Sequence, residues 1–179
     1  MISLIQKFDR SILIFIKDNI NGPIMDRAMV MVTQLGDMGM IWIIIASALI
    51  INKKYRKIGI MALAALGLST ILGEGILKHA VHRMRPSSDI NVINILIAKP
   101  LSYSFPSGHT TSSFAVAGVL SKHFKKYAVG FFALASLIAF SRLYLYVHYP
   151  TDVLVGIILG LLCSWVINHV FERIIYKHD

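Results

Sequence analysis

The chain has 179 residues, of which 56% are hydrophobic and only 15% charged, and its mean hydropathy is +0.67. A soluble domain of this length cannot hide that much apolar surface, so the composition points to a single integral membrane domain spanning 1–179. The net charge of +9 is assigned to membrane topology and anionic lipid rather than to nucleic acid, and the single Cys163 permits no intrachain disulfide.

The first twenty residues, MISLIQKFDRSILIFIKDNI, carry apolar side chains at 2, 5, 8, 12, 15, 16 and 20, with Lys7, Asp9, Arg10, Lys17 and Asp18 between them. That is a helical stripe and not the continuous apolar core of a cleaved signal peptide. We read it as a helix lying in the membrane interface; a helix packed on the bundle fits the same stripe. Asn21-Gly22-Pro23 breaks it, and a second short amphipathic helix follows over 24–35, so that 1–35 is interfacial and 36–175 is the bundle.

Five apolar runs follow: 38–52, extending back toward Thr33; 58–77, continuing in register toward His82; 108–121; 127–147; and 151–171. The sequence thus predicts an all-α bundle of about five spans. Gly156 and Gly160 in the last run make a small-xxx-small pair suited to close helix packing. The basic segments 53–57 and 122–126, with Arg173 and Lys177, fall on one side, which the positive-inside rule makes cytoplasmic. Lys and Arg number nine on each side, but the outer nine include Lys78, Arg85 and Arg142, which have another use.

Three polar clusters lie at the outer ends of the spans. In EGILKHAVHRMRP, Lys78 and Arg85 are seven apart, which on a helix puts them on one face, with Pro86 ending that helix. Glu74 stands four before Lys78, a salt-bridge spacing; cations snorkelling at a helix end would look the same. In Pro106-Ser107-Gly108-His109, Gly108 admits a ligand to the backbone, and the turn feeds a helix start that attracts anions. Thr110 or Thr111 could instead cap that helix, which leaves His109 unexplained. In SRLYLYVHYPTD, Arg142 is an ionisable group inside an apolar run, a functional position by default. His148 and Asp152 stand four apart around Pro150, a pairing in which the Asp can fix the ring's tautomer, although many such pairs are structural. Tyr103, Phe105, Tyr144, Tyr146 and Tyr149 read as an interfacial aromatic belt, with the lining of a lipid entry as the alternative.

Together the clusters set three cations, a Ser-Gly turn, two histidines and a carboxylate at one end of one bundle. Converging cations suit phosphate. No Walker loop is present and no carboxylates partner His79 and His82 at ligand spacing, so the expected chemistry is metal-free and without a cofactor.

Lys78-x6-Arg85-Pro86, Pro106-Ser107-Gly108-His109 and Ser141-Arg142-x5-His148-x3-Asp152 together resemble the signature of the type 2 phosphatidic acid phosphatase and vanadium haloperoxidase superfamily. The resemblance covers about residues 20–172, with one span fewer than six-span bacterial members. It implies that His148 is a nucleophile forming a phosphohistidine, that Asp152 holds its ring, and that His109 serves the leaving group and then water. It further implies that Lys78, Arg85, Arg142, Ser107 and Gly108 bind the phosphate; Glu74 contacts substrate, tunes Lys78 or is a structural ion pair. The implied substrate is a membrane lipid phosphate met at the outer face of the cytoplasmic membrane, by analogy undecaprenyl diphosphate, with phosphatidylglycerophosphate, phosphatidic acid and lipid A phosphates as alternatives. A non-catalytic lipid-binding scaffold on the same fold is the alternative of a different class; an anion channel would need neither the His-Asp pair nor two histidines.

Overall fold

The structure, a computed structural model, describes residues 2–89, 96–98 and 100–176. Lys177 lies outside them. Every regular element among the described residues is helical: α1 (Ile2–Asn19), α2 (Pro23–Leu35), α3 (Met40–Ile51), α4 (Arg56–Thr70), α5 (Lys78–Val81), α6 (Pro86–Asp89), α7 (Gly108–His123), α8 (Ala128–Tyr144) and α9 (Pro150–Tyr176). Pro23 and Pro150 each open a helix, where the missing N–H is unneeded and the fixed φ suits the first turn.

Among the described residues three helices are long and apolar enough to cross a membrane: Arg56–Val81, Lys125–Tyr144 and Pro150–Arg173. A fourth crossing is available if Pro23–Leu35 and Asp37–Ile51, bent by 49°, count as one. The bend falls at Gly36-Asp37-Met38-Gly39, where Gly39 has φ 72°, a backbone state that glycine adopts without strain. The sequence-predicted span at 108–121 becomes α7, only 16 residues long, with ten of them buried. It is the axis of the bundle and packs on α4, α8 and α9. Its small and hydroxylated residues are explained by this position, because close neighbours leave no room for large side chains. Trp42 reaches it from α3, donating its indole N–H to Ser113 Oγ at 2.9 Å.

Glycines set how closely α7 is approached. A Cβ at Gly160 would stand 2.5 Å from the Thr111 carbonyl oxygen and 2.9 Å from the Ala115 nitrogen. At Gly156 it would meet the Ser107 carbonyl oxygen at 3.1 Å. The expected small-residue pair therefore docks α9 directly on the α7 backbone.

The N-terminal helix packs on the bundle. Asp9, Leu13 and Ile16 are buried against α8 and α9, while Leu4, Phe8, Ile14 and Phe15, on the other side of the helix, stay exposed. This cover buries Tyr144, Tyr146 and Tyr149, and the Tyr146 hydroxyl donates to the Leu13 carbonyl at 2.5 Å. These three tyrosines are thus no lipid-facing belt, a correction whose cause is α1 and α2 lying over them.

Candidate active site

The chain from Ile71 to Leu77 widens into a π-helical segment before α5, a local register shift frequent at functional positions. Here Glu74 Oε1 and Oε2 both accept from Lys78 Nζ at 2.6 Å. The helix then stops at Val81, and His82 turns out with φ 50°. Arg85 therefore does not share a helical face with Lys78, as the seven-residue spacing suggested, and Pro86 starts α6 instead of ending a helix. The two cations converge because carbonyls hold Arg85 in place. It donates to Ser102 O and Val147 O at 2.7 Å each, and to Tyr103 O at 3.1 Å.

The second motif lies across from it. No side chain caps α7. Thr111 Oγ1 donates back to Ser107 O, and Thr110 Oγ1 to Ser107 Oγ, both at 2.9 Å, so the threonines fasten the turn and leave the helix N-terminus open to an anion. Ser107 N donates to Asp152 O at 3.2 Å, which joins this motif to the third.

The third motif wraps the end of α8. Arg142 sits in its last turn, then the chain reverses through Tyr146 (φ 58°), and Val147 N and His148 N both donate to Arg142 O. Asp152 is wholly buried: Oδ2 accepts from Tyr149 N at 2.9 Å and Oδ1 from Arg83 Nη1 at 2.6 Å.

One cavity of about 830 Å³ is lined by Glu74, Lys78, Arg85, Gly108, His109, Arg142 and His148, together with Asp37 and Thr33 from the α2–α3 region. Seven of the nine site residues expected from sequence therefore face one space. Ser107 and Asp152 do not line it; they stand fully buried in its wall, behind Gly108 and His148. Glu74 lies over the Ser107-Gly108 turn, its Oε1 at 2.2 Å from where a Cβ on Gly108 would be.

The charges are unbalanced. Arg142 is 4% exposed, its Nη1 donates to Thr33 Oγ1, and its Nε has no partner. Neither Arg142 nor Arg85 has a carboxylate partner among the described residues, although both are buried. A buried cation without a counter-ion is strongly unfavourable, and a polyanion entering the cavity removes that penalty.

Arg85 Nη1 stands 3.2 Å from His148 Nε2. A guanidinium only donates, so Nε2 holds a lone pair and the ring proton is on Nδ1. That nitrogen is 3.7 Å from Asp152 Oδ2 and has no hydrogen-bond partner. The ring thus presents its lone pair toward the cations and keeps a carboxylate close behind its N–H. Burial pushes the His148 imidazole down to about 3, against the pull of Asp152 and with Arg142 and Arg85 adding to the fall. Its folded value lies below the ordinary 6.5, so the folded chain refuses a proton that the unfolded chain accepts as pH falls from about 6.5 toward 3. Stability from this group is complete above that window and is lost through it. We expect the ring ¹⁵N shifts of His148 to stay those of a neutral imidazole from pH 8 to pH 5. A midpoint near 6.5 at His148 would contradict this.

Sequence reasoning missed four residues. Asp37 Oδ1 accepts from, or pairs with, His109 Nε2 at 2.8 Å. Thr33 meets Arg142, and Arg83 and Asp9 stand behind Asp152. Asp9 alone carried a signal, since it shares the helical face of Leu13 and Ile16 where a carboxylate has no reason to be buried without a partner.

Known proteins resemble the chain in the same region. An undecaprenyl-diphosphatase of Sulfolobus acidocaldarius is 36% identical over 128 residues, 70% of this chain and 60% of the relative. A lipid A 4'-phosphatase of Bacteroides thetaiotaomicron is 28% identical over 97% of this chain and 81% of its own length. The crystal structure of a transmembrane PAP2-type phosphatidylglycerolphosphate phosphatase from Bacillus subtilis superposes with a TM-score of 0.79 at 29% identity, covering 96% of this chain and 88% of that one. The chain spans about three-fifths of the length of the first curated relatives it matches. Residues 58–176, more than half of the chain and including all three motifs, match the model of the PAP2 superfamily, and the chain belongs to that family.

Proposed function

We propose that the chain is a metal-independent phosphatase of membrane lipid phosphates or diphosphates, with undecaprenyl diphosphate as its substrate and undecaprenyl phosphate as its product. The observation that carries this reading is a cavity lined by two buried arginines with no carboxylate partner among the described residues, one of which, Arg85, meets the lone pair of His148. Leu66, Leu96 and Ile97 line the same cavity, which suits the first units of a lipid tail.

In the proposed reaction Lys78, Arg85, Arg142 and the Gly108 N–H hold the non-bridging oxygens, and the Ser107 hydroxyl joins them from the wall. The lone pair on His148 Nε2 forms a bond to phosphorus as the bond from phosphorus to the leaving oxygen breaks. His109 gives that oxygen its proton. The ring becomes cationic, and the N–H on Nδ1 turns to Asp152, closing the 3.7 Å gap. Water then attacks phosphorus, His109 takes its proton, the P–N bond breaks, and phosphate leaves. A loose phosphoryl transition state needs chiefly this positioning and charge.

The site lies at the end of the bundle opposite the basic segments 53–57 and 122–126, so the positive-inside rule supports an outward-facing site in a multi-pass cytoplasmic membrane protein. Residues 1–179 act as one domain, with α1 at the interface and its exposed Leu4, Phe8 and Phe15 toward lipid. The Sulfolobus relative is named for undecaprenyl diphosphate, which supports the choice of lipid.

Purified protein in detergent with EDTA is expected to release phosphate from undecaprenyl diphosphate faster than from phosphatidylglycerophosphate or phosphatidic acid. Among the described residues no three His, Cys, Asp or Glu converge as metal ligands, so EDTA should leave the rate unchanged. Vanadate should inhibit without added metal. Release that depends on added divalent metal would overturn the mechanism, a different ranking would replace the substrate, and no release from any lipid by folded protein would favour a binding scaffold.

A further inference from the structure

Resting on the phosphohistidine reading above, we propose that Asp9 of α1 is a positioning residue for the same reaction, acting through Arg83 to fix Asp152 and to preserve its negative charge for His148.

The Arg83 guanidinium forks between two carboxylates. Nη1 donates to Asp152 Oδ1 and Nη2 to Asp9 Oδ2, each at 2.6 Å. Both carboxylates are wholly buried, and Arg83 stacks 4.1 Å over the Tyr149 ring. Asp9 also takes the Thr151 backbone N–H at 3.0 Å on Oδ1 and the Thr151 hydroxyl at 2.7 Å on Oδ2. A side chain 142 residues away thereby supplies the first turn of α9 with a carboxylate, where the helix dipole favours one. That turn is the one that carries Asp152.

The charges give Asp9 a second task. Phosphoryl transfer to His148 makes the ring cationic, and a net negative charge behind it stabilises the product of that step. Asp152 paired with Arg83 alone sums to zero. With Asp9 the buried cluster sums to −1, and the field of Asp152 at His148 is restored. Arg83 is the rigid clamp and Asp9 is its counterweight. Asp9 lies outside residues 58–176, where the family motifs reside.

The test compares wild type, His148→Ala, Asp9→Asn and Asp9→Asn/Arg83→Met by phosphate release and by rapid-quench trapping of the phosphoenzyme, each qualified by its melting curve. Wild type must release phosphate and His148→Ala must not; otherwise the phosphohistidine reading itself fails, whatever Asp9 does. Given that, Asp9→Asn keeps shape but removes charge, and kcat and the phosphoenzyme formation rate should fall about 10- to 100-fold with KM within about 2-fold. Removing the Arg83 charge as well should recover at least about 5-fold over Asp9→Asn, because Asp152 again stands as −1. A merely structural tie would move melting and leave the formation rate of folded enzyme alone. Wild-type kcat in Asp9→Asn, or a double variant slower than the single, overturns the proposal. If Asp9→Asn does not fold, the double variant, in which Asp152 keeps its charge without the Arg83 partner, is read against wild type: phosphoenzyme formation within about 10-fold supports the proposal and a larger fall overturns it.

Discussion

Phosphate release by His148→Ala is expected to fall by about 10⁴-fold or more, with the protein still folded. His148 is 2% exposed, lines the cavity, and turns the lone pair of its Nε2 to Arg85 Nη1 at 3.2 Å. Removing it leaves the anion-binding residues intact, so phosphate or vanadate should still bind while turnover stops. An alkali-quenched wild-type reaction should yield an alkali-stable, acid-labile phosphoprotein that the variant lacks. A variant with a tenth of wild-type turnover, or a phosphoenzyme that survives the substitution, would move the nucleophile elsewhere.

The second large effect is expected far from the chemistry, at Gly160. Valine there places carbon 2.5 Å from the Thr111 carbonyl oxygen and 2.9 Å from the Ala115 nitrogen, both of them backbone atoms that cannot swing away. The two helices must separate. Overpacking of this kind costs about 1–3 kcal/mol, and more where backbone is the obstacle. Separation also pulls apart Ser107 N and Asp152 O, whose 3.2 Å hydrogen bond joins the α7 turn to the α9 turn. We expect Gly160→Val to lower the melting temperature clearly and to lose most activity, whereas valine at Gly130, with nothing nearby, should change neither. Equal melting of the two variants would show that α9 is not docked on α7 as described.

The site was legible in the sequence wherever chemistry is carried by residue type and short spacing. Gly108-His109 and His148-x3-Asp152 needed only a turn and a helix start to be read. Arg142 announced itself as a charge in an apolar run. Less legible was how Lys78 and Arg85 meet, because the helix between them unwinds at His82 and the guanidinium is held by carbonyls from Ser102, Tyr103 and Val147. Backbone acceptors leave no mark on a sequence. The runs 58–77, 127–147 and 151–171 fall on helices long and apolar enough to cross a membrane, 38–52 qualifies only together with Pro23–Leu35 across the bend, and 108–121 is the buried axis, which its serines, threonines and alanines reflect. The residues that support the site from the N-terminal region, Asp9, Thr33 and Asp37, are 142, 109 and 72 positions from their partners, and no periodicity reaches that far.

The missing counter-ions of Arg85 and Arg142 have a thermodynamic consequence for the molecule as a whole. The two buried guanidiniums repel each other, with the carboxylates of Glu74 and Asp37 close by but ion-paired to Lys78 and His109, and a bound anion would relieve that repulsion. The empty protein is therefore its own high-energy state, and occupancy and folding are one linked equilibrium. Each tenfold rise in free phosphate above its dissociation constant adds about 1.4 kcal/mol to stability. In the proposed reaction the same linkage would make the released phosphate a competitor for the next substrate, and turnover would depend on how readily phosphate is surrendered as well as on how quickly the bond is cut.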